Sequence, residues 1–309
     1  MDKPLSTRDV PQRFLKSALL VGHIPHRALT SDPRVSYALY VPPQYYDTHA
    51  HGAGVDSGPA KLPLLVSVHG TRRYVYDIEA LAPFAESTPC AILTPLFPTG
   101  LDGPNDIDSY KQLRSKTLRS DLALLSMLDE VAVRWPEIDT DKVFLMGFSG
   151  GGQFAHRFLY LHPERLAAVS VGAPGRTTVL DDQWNWPAGI KDVESLFGKP
   201  VNKHIIKEVP IQLVVGDQDV KVHGGEEFWT WVRQLKAQRG AGSGAADNAE
   251  KYMFMDRGRL ETMRDLLDSW KRDSIQAQLD VVAGVAHDAR GVRDSVLAFL
   301  EPRIKKHSN

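Results

Sequence analysis

The sequence predicts a doubly wound α/β fold, a mostly parallel sheet with helices on both faces, and three observations predict it. Short apolar runs recur along the 309 residues. Segments with helical spacing separate them. Most of the runs are apolar at successive positions, as central parallel strands covered on both faces require. The first run, Val35-Ser36-Tyr37-Ala38-Leu39-Tyr40-Val41, instead alternates apolar and polar residues, which suits an outer antiparallel strand with one wet face.

The remaining strands are placed at 64–68, 91–94, 143–146, 167–171, 211–215 and 279–282. Between them, 118–134 carries leucines at helical spacing (Leu118, Leu122, Leu125, Leu128) and stops before Trp135-Pro136. Helices are also expected at 153–159, 224–238, 259–272 and 292–300. Three stretches interrupt the alternation. Residues 50–61, rich in Gly, His and Asp, read as an exposed hairpin or loop. Residues 240–249 are low-complexity and read as a loop. Residues 175–208 follow the strand at 167–171, show little periodicity, and read as a small cap-like insertion over the site. Neither a repeat nor a linker divides the chain, so 1–309 reads as one domain with an N-terminal extension at 1–30.

Composition narrows the function. Hydrophobic residues make up 42% and charged residues 24%, ordinary for a globular protein with a large core. A net charge of -1 makes no case for nucleic acid or an anionic membrane surface. Cys90 is the single cysteine, so no intrachain disulfide forms, which fits a reducing compartment; at the start of an apolar run it reads as a small buried hydrophobe. Met1-Asp2-Lys3-Pro4 is charged and Ala18-Leu19-Leu20-Val21 is too short for a signal peptide core. No stretch approaches the roughly 18–20 apolar residues of a membrane span. The expectation is a cytoplasmic protein with a small-molecule partner; the sequence carries no sign of its oligomeric state.

The chemistry lies in Val143-Phe144-Leu145-Met146-Gly147-Phe148-Ser149-Gly150-Gly151-Gly152. A strand-like run ends in G-x-S-x-G and opens into a helix, the context in which this motif exposes a nucleophilic serine. So tight a turn strains the serine backbone, and small residues two before and two after it let strand and helix pass closely. The helix N-terminus then offers amides to a developing oxyanion. Gly150-Gly151-Gly152-Gln153-Phe154-Ala155 also fits the dinucleotide fingerprint G-x-G-x-x-A. That reading wants an acid at the end of the next strand, where this chain has Gly172-Ala173-Pro174, and it fails.

A serine hydroxyl needs a base within reach and an acid to orient that base. Downstream, 211–215 runs into Gly216-Asp217-Gln218-Asp219-Val220-Lys221-Val222, and 281–286 runs into His287-Asp288. Either Asp217 or Asp219 is a candidate acid, with a turn-forming role as the plain alternative. His287 is the candidate base. His156 and His162, on or just beyond the helix after Ser149, read as packing or solvent-facing residues.

With these residues in place the chain resembles the α/β-hydrolase superfamily over nearly its whole length. The order Ser, Asp, His is that family's order. The resemblance implies that the G-D-x-D-x-x-V run is the acid loop, and aligning its Gly and Val selects Asp219. The G-V-A-H segment then supplies His287. His69-Gly70-Thr71 is similar to the family's H-G-x oxyanion loop, so the amides of Thr71 and Gly150 form the oxyanion hole and His69 is a structural hydrogen-bonder. Tyr37, Tyr40 to Pro43 and Tyr45 (Y-x-x-Y-V-P-P-x-Y) resemble the esterase, feruloyl-esterase and polyester-depolymerase branch.

The expected activity is hydrolysis of a small carboxylic ester or lactone through an acyl-enzyme on Ser149. Amide, lactam or carbon–carbon bond hydrolysis is the alternative with the same residues, and a non-catalytic receptor on the same fold is a third. Tyr74, Trp184 and Trp186 are candidate substrate-binding residues, the tryptophans serving equally as anchors of the insertion. Arg72, Arg73 and Tyr76 share the mouth with Tyr74, and an arginine there fits either a substrate carboxylate or a solvated charge. Neither a metal nor a cofactor is implied.

Overall fold

The computed structural model describes residues 4–48, 61–74, 77–104, 106–221, 230 and 257–307. The expected loops at 50–60 and 240–249, Tyr76, and all of the expected helix 224–238 except Thr230 lie outside the described residues. An eight-stranded sheet forms the centre, in the order β1-β2-β4-β3-β5-β6-β7-β8. Its strands are β1 (Gly22–Ala28), β2 (Ser36–Val41), β3 (Leu64–Val68), β4 (Ala91–Leu96), β5 (Val143–Phe148), β6 (Leu166–Gly172), β7 (Ile211–Gly216) and β8 (Gln278–Val282). β2 runs antiparallel to both β1 and β4. All other pairs are parallel, with Leu65 of β3 opposite both Ile92 and Phe144.

The double winding follows from side-chain alternation. Leu64, Val66 and Val68 of β3 point into one apolar cluster, with Leu124 and Met127 of α2 (Ser120–Arg134), Phe154 and Phe158 of α3 (Gly150–Leu161), and Leu266 and Trp270 of α6 (Arg259–Arg272). Leu65, Ile92 and Phe144 point into the other, with Leu81 and Ala85 of α1 (Asp77–Ser87) and Phe299 and Leu300 of α7 (Arg293–His307). Central strands buried on both faces have no polar side to alternate with, which is why they read as continuous apolar runs. α1 carries Pro83 in its interior, which hides it from a helix-pattern reading. Among the described residues, no helix is long and apolar enough to cross a membrane.

One expectation needs correcting. β2 is not an outer strand: β1 covers its free edge, and five of its six residues are buried. The polar positions that suggested a wet face are tyrosine rings whose hydroxyls alone need a partner; Tyr37 donates to Glu130 at 2.9 Å. The true edge, β1, was masked by His23, Pro25, His26 and Arg27. It breaks register between Ile24 and Arg27, at the bulge where an edge strand tolerates proline.

Residues 4–30 thus supply sheet and core. Leu15, Leu20, Val21 and Ile24 join the main cluster, and Trp135 Nε1 donates to the Leu20 carbonyl at 2.7 Å. Tyr46 donates to buried Glu137 at 2.9 Å and meets Thr7 Oγ1 at 2.7 Å, while Arg8 Nε bonds the other Glu137 oxygen at 2.7 Å. Tyr46→Phe strips that carboxylate and Thr7 of one shared partner. It is expected to lower unfolding free energy by about 1–3 kcal/mol, measured by urea denaturation at neutral pH.

Candidate active site

The fold brings three main-chain segments into near contact at Ser149. β5 ends at Phe148, α3 begins at Gly150, and Ser149 between them holds φ 57° and ψ -111°. Such a backbone costs about 1–3 kcal/mol and persists only where its surroundings enforce it. Here they do. Ser149 N–H donates to the Gly172 carbonyl at 2.8 Å, and the Ser149 carbonyl accepts from Gln153 N–H at 3.0 Å. A Cβ on Gly151 would stand 2.1 Å from the Val68 carbonyl oxygen, so only glycine lets α3 lie this close to β3.

The loop after β3 meets the start of α3. The point a Cβ on Gly150 would occupy lies 2.9 Å from the Thr71 nitrogen, 2.6 Å from the Tyr110 hydroxyl and 2.9 Å from Lys111 Cε. His69 fixes this loop from within: Nδ1–H donates to the Gly70 carbonyl at 2.9 Å, and Nε2 accepts Phe97 N–H at 3.0 Å. Burial pushes its imidazole down to about 4, which suits a neutral ring that donates at one nitrogen and accepts at the other. Tyr110 donates to the His69 carbonyl at 3.0 Å. Arg73 donates to the carbonyls of Phe97 (2.6 Å), Thr71 (2.8 Å) and Ile107 (2.8 Å), so its guanidinium staples the loop to the main chain. Arg72 lies outside, its Nη1 on the Tyr74 hydroxyl at 3.4 Å, and Tyr74 is 59% exposed.

At the other end of the sheet, His287 Nδ1 meets Asp219 Oδ2 at 2.6 Å. Asp219 is buried, whereas the His287 side chain keeps 32% of its exposure. Arg259, the first residue of α6, holds the second oxygen of Asp219 at 3.3 Å. Asp217 acts differently: its Oδ1 accepts Gly284 N–H at 2.8 Å and pins the turn that leads to His287. Gln218 N–H also bonds the Val285 carbonyl at 2.9 Å. A Cβ on Gly216 would fall 2.0 Å from that same carbonyl oxygen, so the acid and histidine loops approach at glycine distance. The His287 ring packs on Phe148, the residue before Ser149, with centroids 4.8 Å apart. Ser149 Oγ makes no hydrogen bond to the imidazole among the described residues.

The other histidines on and after α3 are buried hydrogen-bonders. His156 Nδ1–H donates to the Gly152 carbonyl at 2.8 Å while Nε2 accepts Thr178 N–H at 3.0 Å. His162 bonds buried Asp121 at 2.9 Å. Trp186 donates from Nε1 to the Gln112 carbonyl at 2.8 Å and packs edge-on against Phe197 at 5.1 Å, tying 175–208 to the loop before α2. Trp184 is half-buried, and its carbonyl accepts Lys191 N–H at 3.0 Å. A cavity of about 410 Å³ opens nearby, lined by Asp102, Asp108, Gln112 and Arg114 and not by Ser149 or His287. Among the described residues, no cluster of His, Cys, Asp and Glu is placed to hold a metal.

Sequence reasoning missed three cations: Lys111, beside Gly150, and Arg157 and Arg176, which act on one another and on Lys111. One signal was legible. Arg157 interrupts an apolar helix, and every residue of α3 is buried. Lys111 sits in a segment without periodicity and gave none.

No family model matches the chain, and no curated protein matches it in sequence. Its fold has solved relatives at low identity. A poly(aspartic acid) hydrolase-1 from Sphingomonas sp. KT-1 superposes at TM-score 0.61 with 19% identity, over 85% of this chain and 92% of that one. A poly(3-hydroxybutyrate) depolymerase from Bordetella parapertussis gives 0.60 and 19%, over 86% and 83%. A ferulic acid esterase gives 0.54 and 13%, over 92% and 97%. The chain is similar to these in architecture: it has the α/β-hydrolase fold.

The buried histidines carry a pH dependence. Burial holds His156 at about 3 and His69 at about 4 in the folded protein, below the roughly 6.5 of an unfolded histidine. Below that value the unfolded chain takes up protons that the folded one refuses. Their contribution is therefore full above about pH 6.5 and is lost as pH falls towards the folded values, at up to about 1.4 kcal/mol per unit for each histidine. His156→Gln is expected to flatten the fall in urea-derived stability between pH 6.5 and 4.5; an unchanged slope would mean that folded His156 accepts a proton.

Proposed function

We propose that the protein is a serine hydrolase that cleaves a small carboxylic ester or lactone through an acyl-enzyme on Ser149. The observation that carries this reading is the His287–Asp219 pair at 2.6 Å, its ring packed against Phe148, next to a serine held at φ 57°. The printed names of the neighbouring structures, a depolymerase and two further hydrolases, support the same class.

In this mechanism Ser149 Oγ attacks the substrate carbonyl carbon while His287 Nε2 takes its proton. Asp219 holds the Nδ1 proton, fixes the ring and stabilises the imidazolium. The carbonyl oxygen becomes an oxyanion facing the amides of Thr71 and Gly150, which are fixed in place before reaction and need no reorganisation. Collapse breaks the ester bond, and His287 returns the proton to the departing alcohol. Water then repeats the sequence on the acyl-enzyme, releasing the acid and free Ser149. The serine–histidine hydrogen bond is of the kind that tightens only once substrate is bound. Residues 175–208, anchored by Trp186, serve as a cap that sets selectivity rather than chemistry.

Ser149→Ala deletes one oxygen and no packing. It is expected to cut turnover of a p-nitrophenyl ester by on the order of 10⁴–10⁶ and to abolish labelling by a fluorophosphonate probe. A loss below tenfold, at unchanged circular dichroism, places the nucleophile elsewhere; failure of the folded wild type to label points to a receptor.

Asp219 and Asp217 separate by charge removal at constant shape. Asp219→Asn is expected to lower kcat by on the order of 10²–10⁴, whereas Asp217→Asn, which touches only the Gly284 turn, lowers it far less. The reverse order of the two kcat values would reassign the acid.

A further inference from the structure

Arg157 is a fully buried charge with no carboxylate paired to it among the described residues. It lies on α3 with no exposed surface. Its Nε donates to Thr178 Oγ1 at 2.8 Å, and its Nη1 to the Lys111 carbonyl at 2.7 Å and Gln153 Oε1 at 3.3 Å. Its Nη2 is buried with no hydrogen-bond partner. Among the described residues no carboxylate pairs with it. Burial first, and then the charge of Arg176, push it down to about 9, so it remains a cation at neutral pH. A buried charge without a counter-ion costs several kcal/mol. Elsewhere this fold does not accept that cost: buried Asp121 is held by Arg119 and His162, and buried Glu137 by Arg8.

Two further cations approach the same place from other elements. Lys111, in the loop before α2, keeps 5% of its side chain exposed and places Cε 2.9 Å from the Gly150 Cβ point, beside the proposed oxyanion amides. It pairs with Asp108, whose side chain is half exposed. Arg176, in the loop after β6, is half-buried and acts electrostatically on both Lys111 and Arg157. It has no hydrogen bond or ion pair among the described residues. Arg73 adds its charge from the oxyanion loop but spends its donors on three carbonyls. Among the described residues, Asp108 is the carboxylate that acts on both Lys111 and Arg157. The Trp186 ring bounds the cluster, 5.8 Å from the Arg157 guanidinium carbon.

We propose that Arg176 and Lys111, backed by the buried charge of Arg157, form an anion subsite that receives a carboxylate carried by the substrate, so that the esters this protein prefers are acidic ones. The inference rests on the hydrolase reading for the word ester, and on the cluster alone for the anion. Arg157 leaves only Nη2 unpartnered, so the direct contact falls to the half-buried Arg176, whose guanidinium presents parallel N–H donors matched to a carboxylate. The missing counter-ion of Arg157 is then the substrate's own.

The test compares mono-p-nitrophenyl glutarate with p-nitrophenyl acetate at low ionic strength. Wild type is expected to favour the acidic ester in kcat/KM. Arg176→Gln, a half-exposed change, is expected to lower the acidic-to-neutral ratio at least tenfold, chiefly through KM, and Arg176→Lys to restore part of it. An equal ratio in folded Arg176→Gln overturns the subsite. If wild type cleaves neither ester, the hydrolase reading fails, and calorimetric titration with glutarate decides the subsite separately. Binding to wild type that weakens at least tenfold in Arg176→Gln upholds it; no binding, or equal binding, overturns it.

Discussion

The close crossing of β3, β5 and α3 is the constraint on which the rest of the site depends. Main chain passes main chain with no room for a Cβ at Gly151, whose nearest neighbour would be the Val68 carbonyl. That approach requires glycine, and it also forces Ser149, between the strand and the helix, into a backbone region that few residues occupy. The first amide of α3 is left without an intrahelical partner, at a place where the helix dipole favours negative charge. A packing requirement and a chemical arrangement are here the same feature.

Around this crossing the chain uses buried polar groups as fixed struts. His69, His156 and His162 each sit where both ring nitrogens have assigned work, with carbonyls, amides, a carboxylate or, at His162 Nδ1, the Lys199 ammonium as partners. Burial holds the first two neutral at physiological pH. His287 combines two features that none of these does: its side chain is a third exposed, and its Nδ1 faces a buried carboxylate that Arg259 also holds. The contrast separates roles by environment rather than residue type. An imidazole that must cycle through its charged form needs a counter-ion and solvent access, and His287 alone among these four has both.

Legibility from sequence tracked how local the cause was. β3, β5, β6 and β7 were readable because burial on both faces leaves an uninterrupted apolar run. The turn at Ser149 was readable because its geometry permits only small neighbours. β1 was not: nothing local marks Gly22–Ala28 as a strand, and its place at the edge depends on β2 arriving to pair with it. The choice between Asp217 and Asp219 was open to pattern alone, since both stand after the same strand. It turns on which carboxylate the Val285 and Gly284 contacts leave aimed at His287. The cluster of Lys111, Arg157 and Arg176 was least legible, because three separate elements converge; Arg157 stands out in an apolar helix, but Lys111 and Arg176 alone resemble ordinary surface charges.

Arg157 also bears on how the insertion works. Thr178, at its start, accepts from the guanidinium Nε and donates its own N–H to His156, so both ends of that contact are set by α3. Tyr160 on the same helix donates to the Thr178 carbonyl at 2.7 Å and accepts from Trp270 on α6 at 2.6 Å. Trp186 closes the arrangement by bonding the loop that carries Lys111. The helix that begins after Ser149 therefore also fixes the segment proposed to select the substrate. A rigid mount of this kind favours discrimination by preformed charge and shape over closure of a loose cap, because the ordering entropy is lost on folding rather than on binding.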